Sequence, residues 1–145
     1  MICGLIGSTK IAEVHLRELI KNGAKEIVII SRSKKKSLKI YKKYKKKFSK
    51  IKISTSKIEI LKKKNFDLID ICSTTQVHDE HLKYISRLNS IIVVEKPIIS
   101  LLKYKEKYIK FLKQLYRSNE KIIVCYPMLY LSEKFKKIFD FKKQI

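Results

Sequence analysis

The stretch Met1-Ile2-Cys3-Gly4-Leu5-Ile6-Gly7-Ser8-Thr9-Lys10-Ile11-Ala12-Glu13-Val14-His15 decides how the rest of the chain is read. Ile2 to Ile6 is an apolar run of strand length that stops at Gly7. Ile11, Val14, Leu16, Leu19 and Ile20 then follow a helical pattern, closed by Asn22-Gly23, a good C-cap. Read as G-x-G-x-x-G/A, Gly7 and Ala12 take the first and third positions and Thr9 the second. In such a turn the first glycine permits the bend, the second lets a pyrophosphate approach the backbone, and the third lets helix and strand pack closely. The helix start at Lys10 and Ile11 then offers free N–H groups and the positive end of a dipole to an anion. Thr9 adds a Cβ where the phosphates would approach, and a hydroxyl that can donate to them. The other reading is an ordinary βα turn.

Working outward, the same alternation recurs. Apolar runs at Ile27-Ile30, Leu68-Cys72, Ile91-Val94 and Ile122-Cys125 are rich in Ile and Val and lack a period of two, as strands covered on both faces do. A weaker run, Ile51-Lys52-Ile53, suits an edge strand. Helical patterns fall at about 34–48, 78–88, 101–116 and 131–141, with Ser100 a plausible N-cap. Strand–helix repetition means βαβ units with right-handed crossovers. The expected fold is α/β, a Rossmann-like doubly wound parallel sheet of strand order 3-2-1-4-5-6, in one domain spanning 1–145.

Composition bounds the function. The formal net charge is +22, yet 45% of residues are hydrophobic, so the chain is not a disordered polybasic tail. Lys supplies 31 of the 35 basic residues, Ile numbers 24, and Ala and Gly are scarce, a bias typical of AT-rich coding. Phosphate recognition favours Arg, whose planar fork binds bidentately. The densest lysine run, Lys34 to Lys50, holds Leu38, Tyr41, Tyr44 and Phe48 at helical spacing, so it reads as a solvated helix face rather than a nucleic-acid surface. No apolar stretch reaches the length of a membrane span, and no basic segment precedes the first apolar run, so neither a membrane partner nor a signal peptide is expected. Cys3, Cys72 and Cys125 have no C-x-x-C spacing, which argues against zinc and for buried thiols in a cytoplasmic protein. No metal site is expected.

The end of the second strand bears on the cofactor. An NAD-selective site places Asp or Glu there to accept from the ribose 2′-hydroxyl. This chain reads Ile29-Ile30-Ser31-Arg32-Ser33-Lys34, without a carboxylate. Ser31 and Ser33 can donate to a 2′-phosphate, and Arg32 can grip it and lie over the adenine. NADP is the expected cofactor, with NAD as the other possibility.

Val94-Glu95-Lys96-Pro97 after the fifth run resembles the Glu-Lys-Pro of the glucose–fructose oxidoreductase/inositol dehydrogenase/rhizopine catabolism family, Gfo/Idh/MocA. Gly4 to His15 resembles that family's opening G-I-I-G-x-G-x-x-A-x-x-H. Asp70-Ile71-Cys72-Ser73-Thr74-Thr75-Gln76-Val77-His78 resembles its D-x-(V/I)-x-(T/S)-P-x-x-x-H loop, with Thr74 where Pro is usual. Asn89 to Pro97 resembles G-K-H-V-x-x-E-K-P. Cys125-Tyr126-Pro127-Met128-Leu129-Tyr130-Leu131-Ser132 departs from the usual G-Y-N-x-R-F-x-P, lacking its Arg and later Pro.

The resemblance implies an NAD(P)-dependent hydride transfer between nicotinamide and a carbinol or carbonyl carbon of a sugar, polyol or nucleotide-sugar. It implies Lys96 as the catalytic cation at the substrate oxygen, with Glu95 near the nicotinamide ribose. Gly7, Thr9, Lys10, Ile11, Ser31, Arg32, Ser33, Ser73, Thr74, Thr75 and His78 complete the expected cofactor contacts. Lys96 stands at the C-terminal end of a predicted central strand, where sites in open α/β sheets lie. His15 is expected to be structural and His81 to lie on the surface. Family members usually continue into a second, substrate-binding domain, so this chain is expected to be incomplete as a catalyst and to need that domain from elsewhere. No oligomeric state follows from the sequence. A reading of a different class is a non-enzymatic basic protein on the same fold, binding nucleic acid or an acidic partner.

Overall fold

The computed structural model describes residues 1–85, 88–100, 106–118 and 121–125. Six strands, β1 (Ile2–Ile6), β2 (Glu26–Ile30), β3 (Lys52–Ser56), β4 (Leu68–Ile71), β5 (Ile91–Glu95) and β6 (Ile122–Cys125), form one sheet in the order β3-β2-β1-β4-β5-β6. Every neighbouring pair is parallel. The helices are α1 (Lys10–Lys21), α2 (Lys34–Lys47), α3 (His78–Ile85) and α4 (Glu106–Ser118), with 3₁₀ turns at Ile58–Lys62 and Thr75–Val77. The expected doubly wound sheet and strand order are therefore observed. The expected helix at 131–141 and residues 126–132 lie outside the described residues. So do residues 101–105, which Ser100 was expected to cap.

The uninterrupted apolar runs are explained by burial on both faces. On one face Cys3, Leu5, Ile27 and Ile29 pack with Ala12, Leu16 and Leu19 of α1 and with Ile40 and Tyr44 of α2. On the other, Ile6, Val28, Ile30, Ile69, Ile71, Ile92 and Val94 pack with Leu82 and Ile85 of α3. The helix ends follow their local chemistry. Asn22 closes α1, and the N–H groups of Gly23 and Ala24 return to the carbonyls of Ile20 and Leu19, at 3.1 and 3.0 Å. Ser33 caps α2, its Oγ accepting from the Lys36 N–H.

The lysine-rich segment is α2. Its Tyr44 and Ile40 are buried, while Lys43, Lys45 and Lys47 lie over the rings of Tyr44, Tyr41 and Phe48. Its aromatic side chains thus face the core or sit under the helix's own lysines. The edge strand falls later than expected, at Lys52–Ser56 rather than 51–53, because its pairing with β2 runs through the polar Ser54-Thr55-Ser56. Among the described residues no helix is long and apolar enough to cross a membrane.

Candidate functional site

The C-terminal ends of β1, β2 and β4 surround a cleft of about 670 Å³. Its floor is Ile6, Gly7 and Ile30. Ser8 and Thr9 rise from the β1 turn, Ser31, Arg32, Ser33 and Lys36 from the β2 end and first turn of α2, and Ser73 and Thr74 from the β4 end. Lys57, Ile58 and Glu59 close it from the 3₁₀ turn after β3, Val77 from the 3₁₀ turn after β4, and His81 from α3.

Gly7 is the hinge of this arrangement. Its φ is +142°, and a Cβ there would stand 2.7 Å from the carbonyl oxygen of Cys72, just after β4. A glycine is required, both for the conformation and for the close approach of two strands. Thr9, at the middle position of the glycine turn, caps α1. Its Oγ1 accepts from the Ala12 N–H at 3.3 Å and donates to the Cys72 carbonyl at 3.4 Å. The hydroxyl expected to serve a phosphate is thus shared with the helix end and with β4. Across the mouth, the hydroxyls of Ser8 and Ser31 are bonded at 2.8 Å, and Ser31 Oγ also accepts from the Ser33 N–H.

Of the expected cofactor residues, the fold gathers Gly7, Thr9, Ser31, Arg32, Ser33, Ser73 and Thr74 around this one cleft. Lys10, Ile11, Thr75, His78, Glu95 and Lys96 do not line it. Lys10 and Ile11 are exposed at the start of α1. His78 is buried behind it, with Nδ1 3.1 Å from the Pro97 carbonyl and Nε2 3.0 Å from the Ser73 carbonyl, so it ties the loop after β4 to the loop after β5. Lys96 is exposed on the latter loop.

His81 corrects its expectation as a surface residue. It is only partly exposed, lines the cleft, and its Nδ1 lies 3.0 Å from Ser73 Oγ. Burial holds it below the ordinary imidazole value, aided by His78 and then Arg32. Lys36, Lys57 and Glu59 were also missed. The lysines carried no local signal that separates them from their many neighbours in sequence.

On the helix-α1 side of β4 and β5 lies a second constellation. His15 Nδ1 donates to Asp70 Oδ2 at 2.8 Å and Nε2 to Glu95 Oε1 at 3.0 Å. The Asp70 hydrogen bond raises the His15 pKa, against the pull of burial and with help from Glu95. Asp70 is 4% exposed, and among the described residues its Oδ1 has no hydrogen-bond partner. Donor atoms of His15, Asp70 and Cys72 lie within 4.8 Å of one another, but both ring nitrogens of His15 are already committed to carboxylates. Burial favours the protonated thiols, pushing Cys3 and Cys125 up to about 11 and Cys72 well above its usual value. The clue to this group was in the sequence, since an Asp inside the apolar run Leu68-Ile69-Asp70-Ile71-Cys72 must find a partner.

A cleft at the point where the strand order reverses, fronted by a glycine turn and a helix N-terminus, defines the class of dinucleotide-binding Rossmann domains. The model of the Gfo/Idh/MocA oxidoreductase family, NAD-binding Rossmann fold, matches residues 1–138, and the chain belongs to that family. Among solved structures it is similar to a Gfo/Idh/MocA family oxidoreductase from Vibrio cholerae, with 19% identity, TM-score 0.68, and 87% of this chain and 38% of that chain covered. It is also similar to the WlbA dehydrogenase from Bordetella pertussis in complex with NADH and UDP-GlcNAcA, with 15% identity, TM-score 0.62, and 86% and 37% covered. A third likeness is to biliverdin reductase in complex with biliverdin and NADP+ from Synechocystis, with 17% identity, TM-score 0.64, and 84% and 36% covered. The chain thus spans little more than a third of the length of these structures. No curated protein matches the sequence.

Proposed function

We propose that the chain is the cofactor half of an oxidoreductase and binds NADP in preference to NAD. The observation that carries this reading is the cationic rim of the cleft, where Arg32, Lys36 and Lys57 surround the end of β2 and no carboxylate follows that strand. The first turn of α2 adds its free N–H groups to the same spot. Glu59 also lines the cleft, on the turn after β3. A 2′-phosphate set among Arg32, Ser31 and the start of α2 gains hydrogen bonds to charged groups, roughly 1.5–3 kcal/mol each. Titration of the purified chain with NADPH and NADH tests this. NADPH is expected to bind about tenfold tighter or more, and Arg32→Ala to narrow the gap. Equal dissociation constants at moderate salt, unchanged by the substitution, would overturn it.

In the reaction, Lys96 supplies the cation and proton at the oxygen of a sugar-like carbinol or carbonyl, and Glu95 faces the nicotinamide nucleotide. Its position at the functional end of β5 and the family membership support this role. Substrate orientation belongs to a second domain, and positioning supplies much of the rate. The 145-residue chain alone is therefore expected to show little or no turnover with sugars or polyols. Robust turnover abolished by Lys96→Ala would refute the need for that domain while supporting the Lys96 role.

A further inference from the structure

We propose that His15, anchored by the buried Asp70, is a positioning residue that fixes Glu95 and the start of the Lys96 loop beneath the nicotinamide nucleotide. The inference rests on the reading that a dinucleotide lies across the strand ends. A doubly wound sheet has two mononucleotide-binding halves. The cleft beside Arg32 belongs to the β1–β3 half, which leaves the ends of β4 and β5 for the second nucleotide.

Glu95 is the last residue of β5, and both of its oxygens are held. Oε1 accepts from His15 Nε2, and Oε2 accepts from the Lys96 backbone N–H at 3.2 Å. His15 is in turn held from below, because Nδ1 is 2.8 Å from an Asp70 carboxylate that is 4% exposed. Three ionised groups so placed bring two like charges together, and only a doubly protonated ring satisfies both. Stability is a poor explanation for such a cluster, since apolar residues of similar volume do as well or better in a buried site. The adjoining part of the same layer uses that solution, with Leu5 and Cys3 packed against Leu16 and Ala12. What the charged version adds is a fixed direction for a carboxylate at the functional end of β5.

Among the described residues, the other titratable groups near the trio are Cys3 on β1, Cys72 just after β4 and Cys125 on β6, all neutral at ordinary pH because burial raises them. As pH rises through the elevated pKa of His15, the ring keeps one N–H. The buried Asp70, the first cause of that elevation, retains it, and Glu95 is released.

The test is calorimetric titration of the full chain with two probes, NADP+ and 2′-AMP, which keeps the 2′-phosphate and lacks the whole nicotinamide nucleotide. The titrations run from about pH 6 to about pH 9, spanning the ordinary imidazole value and the region above it. His15→Gln is expected to weaken NADP+ about tenfold while changing 2′-AMP less than about twofold. In the wild type the ratio of the two affinities falls as pH rises, and in His15→Gln it is flat. Titration of the 2′-phosphate is common to both probes and cancels in the ratio. Equal losses for both probes, or a wild-type ratio independent of pH, overturn the proposal and leave the cofactor reading standing. Binding of neither probe by the wild type overturns both. If His15→Gln does not fold, the wild-type pH series decides alone.

Discussion

The two halves of the sheet solve the same packing problem with different chemistry. Under α1 and α2, the β1–β2–β3 half is filled by Cys3, Leu5, Ile27, Ile29, Ile40, Tyr44 and Ile53, all buried and apolar in contact, and its polar groups gather at the strand ends. On the same face of the β4–β5 half, the position in register with Leu5 carries Asp70, and His15 bridges it to Glu95, two residues beyond Asp70's partner Val93 on β5. The first half shows what suffices to hold a parallel layer together. The second places charge where Ile or Leu would pack, so its composition answers to something besides packing.

The strongest way to break the comparison is to remove its charged pivot. His15→Ala leaves a buried carboxylate facing a second one, and about 3–5 kcal/mol of stability should be lost at neutral pH, read by urea unfolding. An equivalent truncation on the apolar side, Leu19→Ala, should cost about 2–5 kcal/mol through cavity formation, with no dependence on pH. The pH series is what separates the halves. Since the folded pKa of His15 lies above its unfolded value, its contribution is complete below about pH 6.5 and disappears as pH climbs through the folded value. Wild-type stability should therefore fall across that window, a slope that Leu19→Ala retains and His15→Ala loses.

Gly7→Ala tests the seam between the halves, where a methyl group meets the Cys72 carbonyl. The backbone conformation alone should cost roughly 1–3 kcal/mol, and the cleft should lose dinucleotide at once. Gly23, with φ +83° and nothing within 4 Å of its would-be Cβ, is the control, and its Ala variant should be milder, losing about 1 kcal/mol. The smallest effect is expected at Ser33→Ala, about 1 kcal/mol or less from the lost cap on α2, measured as a small drop in Tm.

What could be read from sequence follows how local the determining forces are. β1 and β2 were legible because strands buried on both faces must be apolar throughout, β4, β5 and β6 because their Ile- and Val-rich runs are of strand length, and the Asn22-Gly23 stop because a helix end is settled within a few residues. β3 was only half legible. It lies at the edge, buries Ile53, and carries Ser and Thr that owe their strand conformation to the ladder with β2. At the site, Gly7, Ser31 and Arg32 could be placed from turn chemistry, whereas Lys57 reaches the cleft by way of β3. The His15–Asp70–Glu95 group joins residues 55 and 80 positions apart, and although each stands in a stretch that resembles the family, no local pattern shows that the three meet. His81 reads as an exposed helical residue because its burial comes from Ser73, which only the turn after β4 carries to it.

The two borders of the sheet have opposite characters. β3 presents Lys52, Ser54, Thr55 and Ser56, a short polar border with a charge on it. β6 presents Ile122-Ile123-Val124-Cys125, and Ile123 is 55% exposed. Backbone hydrogen bonding can extend a sheet from either border, but a lysine and hydroxyls oppose a newcomer where branched hydrocarbon welcomes it. Among the described residues, the sheet is thus guarded against a further strand by charge and hydroxyls at β3, and carries branched hydrocarbon with no such guard at β6.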